Sequence, residues 1–192
     1  YPVGTDNVAL GNAALDDASL SGAANTGVGV SALTSNTSGE VNTAVGGYAL
    51  ADNTSGTSNS ALGVGALGDN TTGGTNTGLG KDALRYNTTA SENTAVGYQS
   101  LYTNTTGARN TSVGFQALKF STASDNTAVG RAALSNTSSG ANNTALGSRA
   151  GVEITTGASN VAVGVQSLAS NTTASNNTAV GYQAGDANTS GY

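Results

Sequence analysis

Asparagine recurs through this chain at a nearly fixed period: Asn7, Asn25, Asn42, Asn59, Asn76, Asn93, Asn110, Asn126, Asn143, Asn160 and Asn177. The first step is 18 residues, the step from Asn110 to Asn126 is 16, and all others are 17. Aligned on these asparagines, the eleven copies share the pattern N-T-A-V-G-Y-Q-A-L-x-x-N-T-T-G-x-x. A unit this short cannot bury an apolar face alone, so neighbouring copies must stack. The period therefore predicts an all-β fold, a parallel β-solenoid or β-roll of eleven coils of about 17 residues. Residues 1–6 form a leading segment and residues 7–192 one repeat domain.

The residue types at each coil position support that reading. Position one is Asn and position five Gly in all eleven copies. Thr and Val in T-A-V-G favour extended backbone. The A-L pair at positions eight and nine marks a second strand-like piece, and N-T-T-G is turn chemistry. Gly, Asn and Thr at this density disfavour helix. Position four is always Val or Leu: Leu10, Val28, Val45, Leu62, Leu79, Val96, Val113, Val129, Leu146, Val163 and Val180. This column is expected to be core. Position nine is Leu except at Gly151 and Gly185. The asparagine column is expected to stack as an amide ladder that satisfies turn backbone, as in cross-β stacks.

Composition excludes several functions. The chain has no Cys and no His, so neither a disulfide framework nor a Cys/His zinc site can be built. A Ser-His-Asp or Cys-His arrangement is excluded on the same ground. A net charge of −5 with no basic stripe argues against nucleic acid. No apolar run approaches the length of a membrane span, so no membrane insertion is expected. Tyr1-Pro2-Val3-Gly4 opens no signal peptide. No GxxxxGK[ST] run occurs, and the glycines recur in every coil, so they read as a backbone column. No acid–base or nucleophile pair is evident, so no enzyme and no cofactor is expected.

Two apolar points per coil, padded by small residues, make a thin core for one chain. Oligomerisation about a closed axis would remedy this. The run Asn93-Thr94-Ala95-Val96-Gly97-Tyr98-Gln99 and its copies resemble the N-S-V-A-I-G repeats of trimeric autotransporter adhesin heads. The full N-T-A-V-G-Y-Q-A-L…N-T-T-G unit is similar to repeats of phage tail-fibre and bacterial surface-fibre proteins. The resemblance covers residues 7–192 and implies a left-handed, trimeric β-roll, although the coil here is longer than in the adhesin heads. It also implies a structural or adhesive role in an extracellular filament, on a virion or a microbial surface. The expected partner is the chain itself, as a homotrimer or a head-to-tail filament, with cell-surface glycans or covalent glycans as further partners.

The most frequent chemical motif is the N-x-[ST] glycosylation sequon. It occurs at Asn36, Asn53, Asn70, Asn87, Asn104, Asn110, Asn136, Asn142, Asn171, Asn176 and Asn188. Asn36 to Asn104 are spaced by 17 and share one column with Asn171 and Asn188, whereas Ser121 and Ile154 interrupt it. The same residues also make a good turn, and glycans at ~4.8 Å spacing would crowd. A glycosylated filament scaffold is thus the alternative function. A third reading is an ice- or polysaccharide-binding solenoid. For ice, a threonine column at position two (Thr26, Thr43, Thr77, Thr94, Thr111, Thr127, Thr144, Thr178) is broken by Val8, Ser60 and Val161 and lacks a companion at position four. For sugars, Tyr98, Phe115 and Tyr182 stand at position six, but Lys81, Arg131 and Ser148 share it. The adjacent acids Asp16 and Asp17 read as a solvated turn, since calcium requires several clustered oxygens.

Overall fold

A computed structural model describes residues 5–189; the opening Tyr1–Gly4 and the last three residues lie outside that range. Eleven strands of three residues run from β1 (Val8–Leu10) to β11 (Thr178–Val180), one per coil. They form a single parallel sheet in sequence order. The described chain is an all-β solenoid with no helix among the described residues. Register is position on position: Thr26 pairs with Thr43 and Val28 with Val45. The ladder bonds are short, as in Gly46 N–H to Val28 O at 2.7 Å.

The coils of irregular length keep this register. In the 16-residue coil, Thr111 still pairs with Thr127. The missing residue comes out of the N-T-T-G turn, because Ala123 O receives the Asn110 amide as the turn glycine does elsewhere, at 2.9 Å. The extra residue of the first coil sits in the Asp17–Leu20 turn, where Leu20 N–H meets Asp17 O and Ser19 N–H meets the Asp17 carboxylate.

The core is built by positions three, eight and nine. Leu15, Leu33, Leu50, Leu67, Leu84, Leu101, Leu118, Leu134 and Leu168 are almost wholly buried, and Ala fills most of the other two positions, with Gly or Ser in the rest. Each buried Leu contributes roughly 2 kcal/mol of transfer free energy. Where position eight is Ser100, position three of the next coil is Ser112, and the two hydroxyls bond at 2.7 Å.

The position-four column is the main correction to the sequence reading. Leu10, Leu62, Leu79, Leu146 and Val180 are exposed, and Val28, Val45, Val96, Val113, Val129 and Val163 are half-buried. The reason is strand alternation: with position three pointing inward, positions two and four must point out. The interior is narrow, and Ala rather than Val fits beneath the strand.

The expected second strand is also absent among the described residues. The A-L segment is a turn in which Leu at position nine adopts φ between 47° and 54°. That left-handed conformation costs about 1–2 kcal/mol for a non-glycine residue. It is held by a bond to the next coil, as in Leu33 N–H to Ala49 O at 3.1 Å, and by burial of the side chain. Coil nine solves the position differently. Gly151 replaces Leu, and Ile154 fills the space: a Cβ on Gly151 would lie 2.9 Å from Ile154 Cδ1.

Glycine at position five is required twice over. Gly97 has φ 125°, and a Cβ there would sit 2.6 Å from Gly114 O of the next coil. The glycine column is thus where adjacent coils approach backbone to backbone.

Candidate functional site

The asparagine columns lie inside the molecule. At position one, Asn42 Nδ2 donates to Asn25 Oδ1 at 3.1 Å and to Gly56 O at 2.8 Å. Its backbone N–H also donates to Asn25 Oδ1, at 3.0 Å. The amide-to-Oδ1 link between backbone N–H and the preceding asparagine recurs from Asn25 to Asn177. Asn7 begins this ladder and donates to Gly22 O.

The sequon column forms a second ladder. Asn53 Nδ2 donates to Asn36 Oδ1 at 2.9 Å and to Gly56 O at 3.1 Å. The carbonyl at position fifteen is therefore clamped by two amides. Asn36, Asn53, Asn70, Asn87, Asn104 and Asn171 are fully buried, and Asn110 is nearly so. A glycan on any of these amides would occupy the space of the solenoid interior and replace a rung donor. Glycosylation at these seven positions is incompatible with the folded chain. Asn136 is off the column: Thr137 takes the rung, buried with its Oγ1 unpartnered, and Asn136 donates outward to Glu153 Oε2 at 3.0 Å. Ser121, Thr137 and Ile154 break the second ladder over three consecutive coils. Asn142 and Asn176 are exposed at the last position of their coils, with φ 59° and 61°. Asn188 is half-buried, and the Ser190 of its sequon lies outside the described residues.

The outward strand face carries two parallel columns, Thr at position two and Val or Leu at position four. Between them runs a shallow groove of about 300 Å³ lined by Thr43, Val45, Ser60, Leu62, Thr77 and Leu79. Thus the position-two threonines have an aliphatic rather than hydroxyl companion on the same face.

A third surface lies beyond the glycine column. Tyr98 and Phe115 at position six stack with centroids 5.4 Å apart, and Gln116 Nε2 donates to Gln99 Oε1 at 3.1 Å beside them. Tyr182 stands alone at the far end, well exposed. Positions ten and eleven add a cluster that motif reading missed. Tyr86 and Tyr102 meet edge to face at 4.9 Å, and Lys119 Nζ lies 4.9 Å from the Phe120 ring centre. The sequence signal was present, because Arg85-Tyr86, Tyr102 and Lys119-Phe120 fall at equivalent places in successive coils. The hydrogen bond between the two phenols raises Tyr102 to about 12, assisted by desolvation. Asp69 is raised by burial against the lowering pull of Arg85, its partner at 3.0 Å. Asp125 is lowered by its hydrogen bond from Arg109, at 2.7 Å.

Among the described residues, no group of three or more His, Cys, Asp or Glu is placed to hold a metal ion, and no helix is long and apolar enough to cross a membrane. Asp16 and Asp17 form the turn described above. No protein-family profile, curated protein or solved structure matches this chain.

Proposed function

We propose that this chain is a structural and adhesive repeat section of an extracellular fibre, and that it works as a homotrimer. The observation that carries the reading is the exposed Val/Leu column. It runs the whole length of the solenoid on the outward strand face, with Leu10, Leu62, Leu79, Leu146 and Val180 exposed and the valines between them half-buried. A face of this kind marks an interaction surface. Its natural occupant is another copy of the chain, because only a solenoid of the same rise keeps register with eleven equally spaced side chains. Burying what the single chain leaves exposed of these residues would contribute on the order of 10 kcal/mol per protomer, enough to offset the cost of association. The similarity to trimeric fibre repeats favours three chains around one axis.

Burial of the ladder asparagines weighs against a scaffold with a glycan on every coil. The interior amide ladders suit a stiff shaft, since each coil is tied to the next by backbone and side-chain bonds. Sedimentation equilibrium at micromolar concentration tests the reading. The expected mass is three times the 18.5 kDa chain. A well-folded species of single-chain mass would refute it.

A further inference from the structure

Charge and aromatic residues are not spread evenly along the solenoid. All six Lys and Arg lie within residues 81–149, together with three of the eleven acids, a local charge of +3. The rest of the chain carries the other eight acids and no cation, a charge of −8. Five of the nine aromatic residues fall within residues 86–120. Stacking alone demands neither concentration, because the same surface positions hold Ser, Gly, Val and Thr in other coils.

Two of the cations have carboxylate partners: Arg85 with Asp69 and Arg109 with Asp125. Lys81, Lys119, Arg131 and Arg149 have none among the described residues. Column six over coils five to eight reads Lys81, Tyr98, Phe115, Arg131, so a stacked aromatic pair is bracketed by unpaired cations. The next column over the same coils reads Asp82, Gln99, Gln116, Ala132, with the two glutamine amides bonded to each other, so its one carboxylate confines the anion-binding part to coils six to eight and the Lys81 edge. Columns seven and ten adjoin, since the Arg85 side chain passes 3.5 Å from where a Cβ on Gly65 would be. Tyr102 and Lys119 in column ten therefore flank the glutamines on the other side.

We propose that coils five to eight form a binding site for a linear acidic polysaccharide laid along the solenoid axis. Lys81, Lys119 and Arg131 take its carboxylates. Gln99, Gln116 and the tyrosine hydroxyls supply donors and acceptors for sugar hydroxyls, and the exposed apolar surfaces of Tyr98 and Phe115 give van der Waals contact to its C–H groups. Successive sugars would meet successive coils, because the side-chain columns repeat at the strand spacing of ~4.8 Å. The acidic coils on either side confine the site to a short stretch of such a chain spanning coils five to eight, and a nucleic acid, repelled there equally, is distinguished by the test below. The glycine column separates this surface from the strand face, and the proposal does not rest on the fibre reading.

The test is titration calorimetry of the full chain with oligogalacturonate at low and moderate salt. Neutral malto-oligosaccharide, single-stranded DNA and polyglutamate of comparable length serve as comparators. The expected result is binding of oligogalacturonate at least about tenfold tighter than of any comparator. Lys81→Gln with Arg131→Gln should weaken it about tenfold and flatten its salt dependence. Tyr98→Ser with Phe115→Ser should weaken it at both salt levels, with an unchanged circular dichroism spectrum. Arg109→Gln, whose guanidinium is already held by Asp125, should leave it unchanged. Absence of oligogalacturonate binding would overturn the site. Equal binding of DNA or polyglutamate would reduce it to a charge patch and overturn the sugar assignment. Affinity can fail while the chain still sediments as a trimer, and the reverse, so the two readings fail separately.

Discussion

Replacing Asn59 with alanine removes one rung from the middle of the position-one ladder, and the structure sets the cost. Asn59 Nδ2 donates to Asn42 Oδ1 at 3.1 Å and to Gly73 O at 2.8 Å. Its Oδ1 accepts the backbone N–H of Asn76 at 3.0 Å. Gly73 O keeps a second donor, Asn70 Nδ2 at 3.0 Å, and Asn42 Oδ1 keeps the Asn59 backbone N–H. The Asn76 N–H, buried, keeps nothing. An orphaned buried donor costs about 1–3 kcal/mol, and the two lost side-chain bonds about 1 kcal/mol each. Asn59→Ala should therefore destabilise by roughly 3–5 kcal/mol. Asn59→Asp keeps the acceptor for Asn76 but turns a donor into an oxygen facing two other oxygens. Burial and these neighbours raise the folded-state carboxyl above its ordinary ~3.9. That variant's stability is then fullest below the unfolded value and is lost as pH rises through the folded one. Denaturant unfolding followed by circular dichroism gives the magnitude, and native-state hydrogen exchange at Asn76 gives the location. An unchanged midpoint with a still-protected Asn76 amide would refute the ladder as a source of stability.

Three other outcomes are expected. Gly151→Leu and Ile154→Asn should each destabilise coil nine, the first by overpacking against Ile154 and the second by emptying the space it fills. Together they should recover stability, with a coupling above about 1 kcal/mol in a double-mutant cycle; strict additivity would contradict the shared-space account. When the chain is secreted through a glycosylating pathway, peptide mass spectrometry of folded protein should find sugar on Asn142 or Asn176 and none on Asn53 or Asn70. Glycan on either buried rung would show that the second ladder is misplaced. Finally, Tyr102 is raised from 10.0 to about 12. Its contribution is full below pH 10 and lost as pH rises toward 12, so alkaline melting of Tyr102→Phe should show a smaller loss over that window than the parent.

The period made the stacking legible, because only a stacked arrangement gives eleven equivalent environments. It also placed Asn25 to Asn177 in one column, where the structure draws the amide ladder. The position-four column was misread because hydrophobicity was taken as burial. In a three-residue strand the alternation leaves one inward place, and here it is held by Ala44, Ala95 or Gly27, whose small size hides it from a hydrophobicity argument. The turn at position nine was not legible, because Leu is a poor residue for positive φ and burial of its side chain decides the conformation. The sequons at Asn36 to Asn104 admit two sequence readings, glycan acceptor or turn, and neither reveals that they form a buried ladder. Their strict 17-residue spacing is the contrary signal, since exposed positions such as Val30, Val64 and Lys81 drift in type from coil to coil.

The central claim is that the Val/Leu column is where chains meet, and cysteine cross-linking tests it most directly. The chain has no cysteine of its own, so a single introduced thiol reports one position. Val96→Cys lies on the strand face, whereas Thr89→Cys lies exposed in the turn of the preceding coil. Around a three-fold axis, the Val96→Cys chains should oxidise rapidly to linked pairs, leaving one chain in three unlinked. The Thr89→Cys chains should stay single. Equal and slow cross-linking of both, with the chain sedimenting at its own mass, would contradict the account.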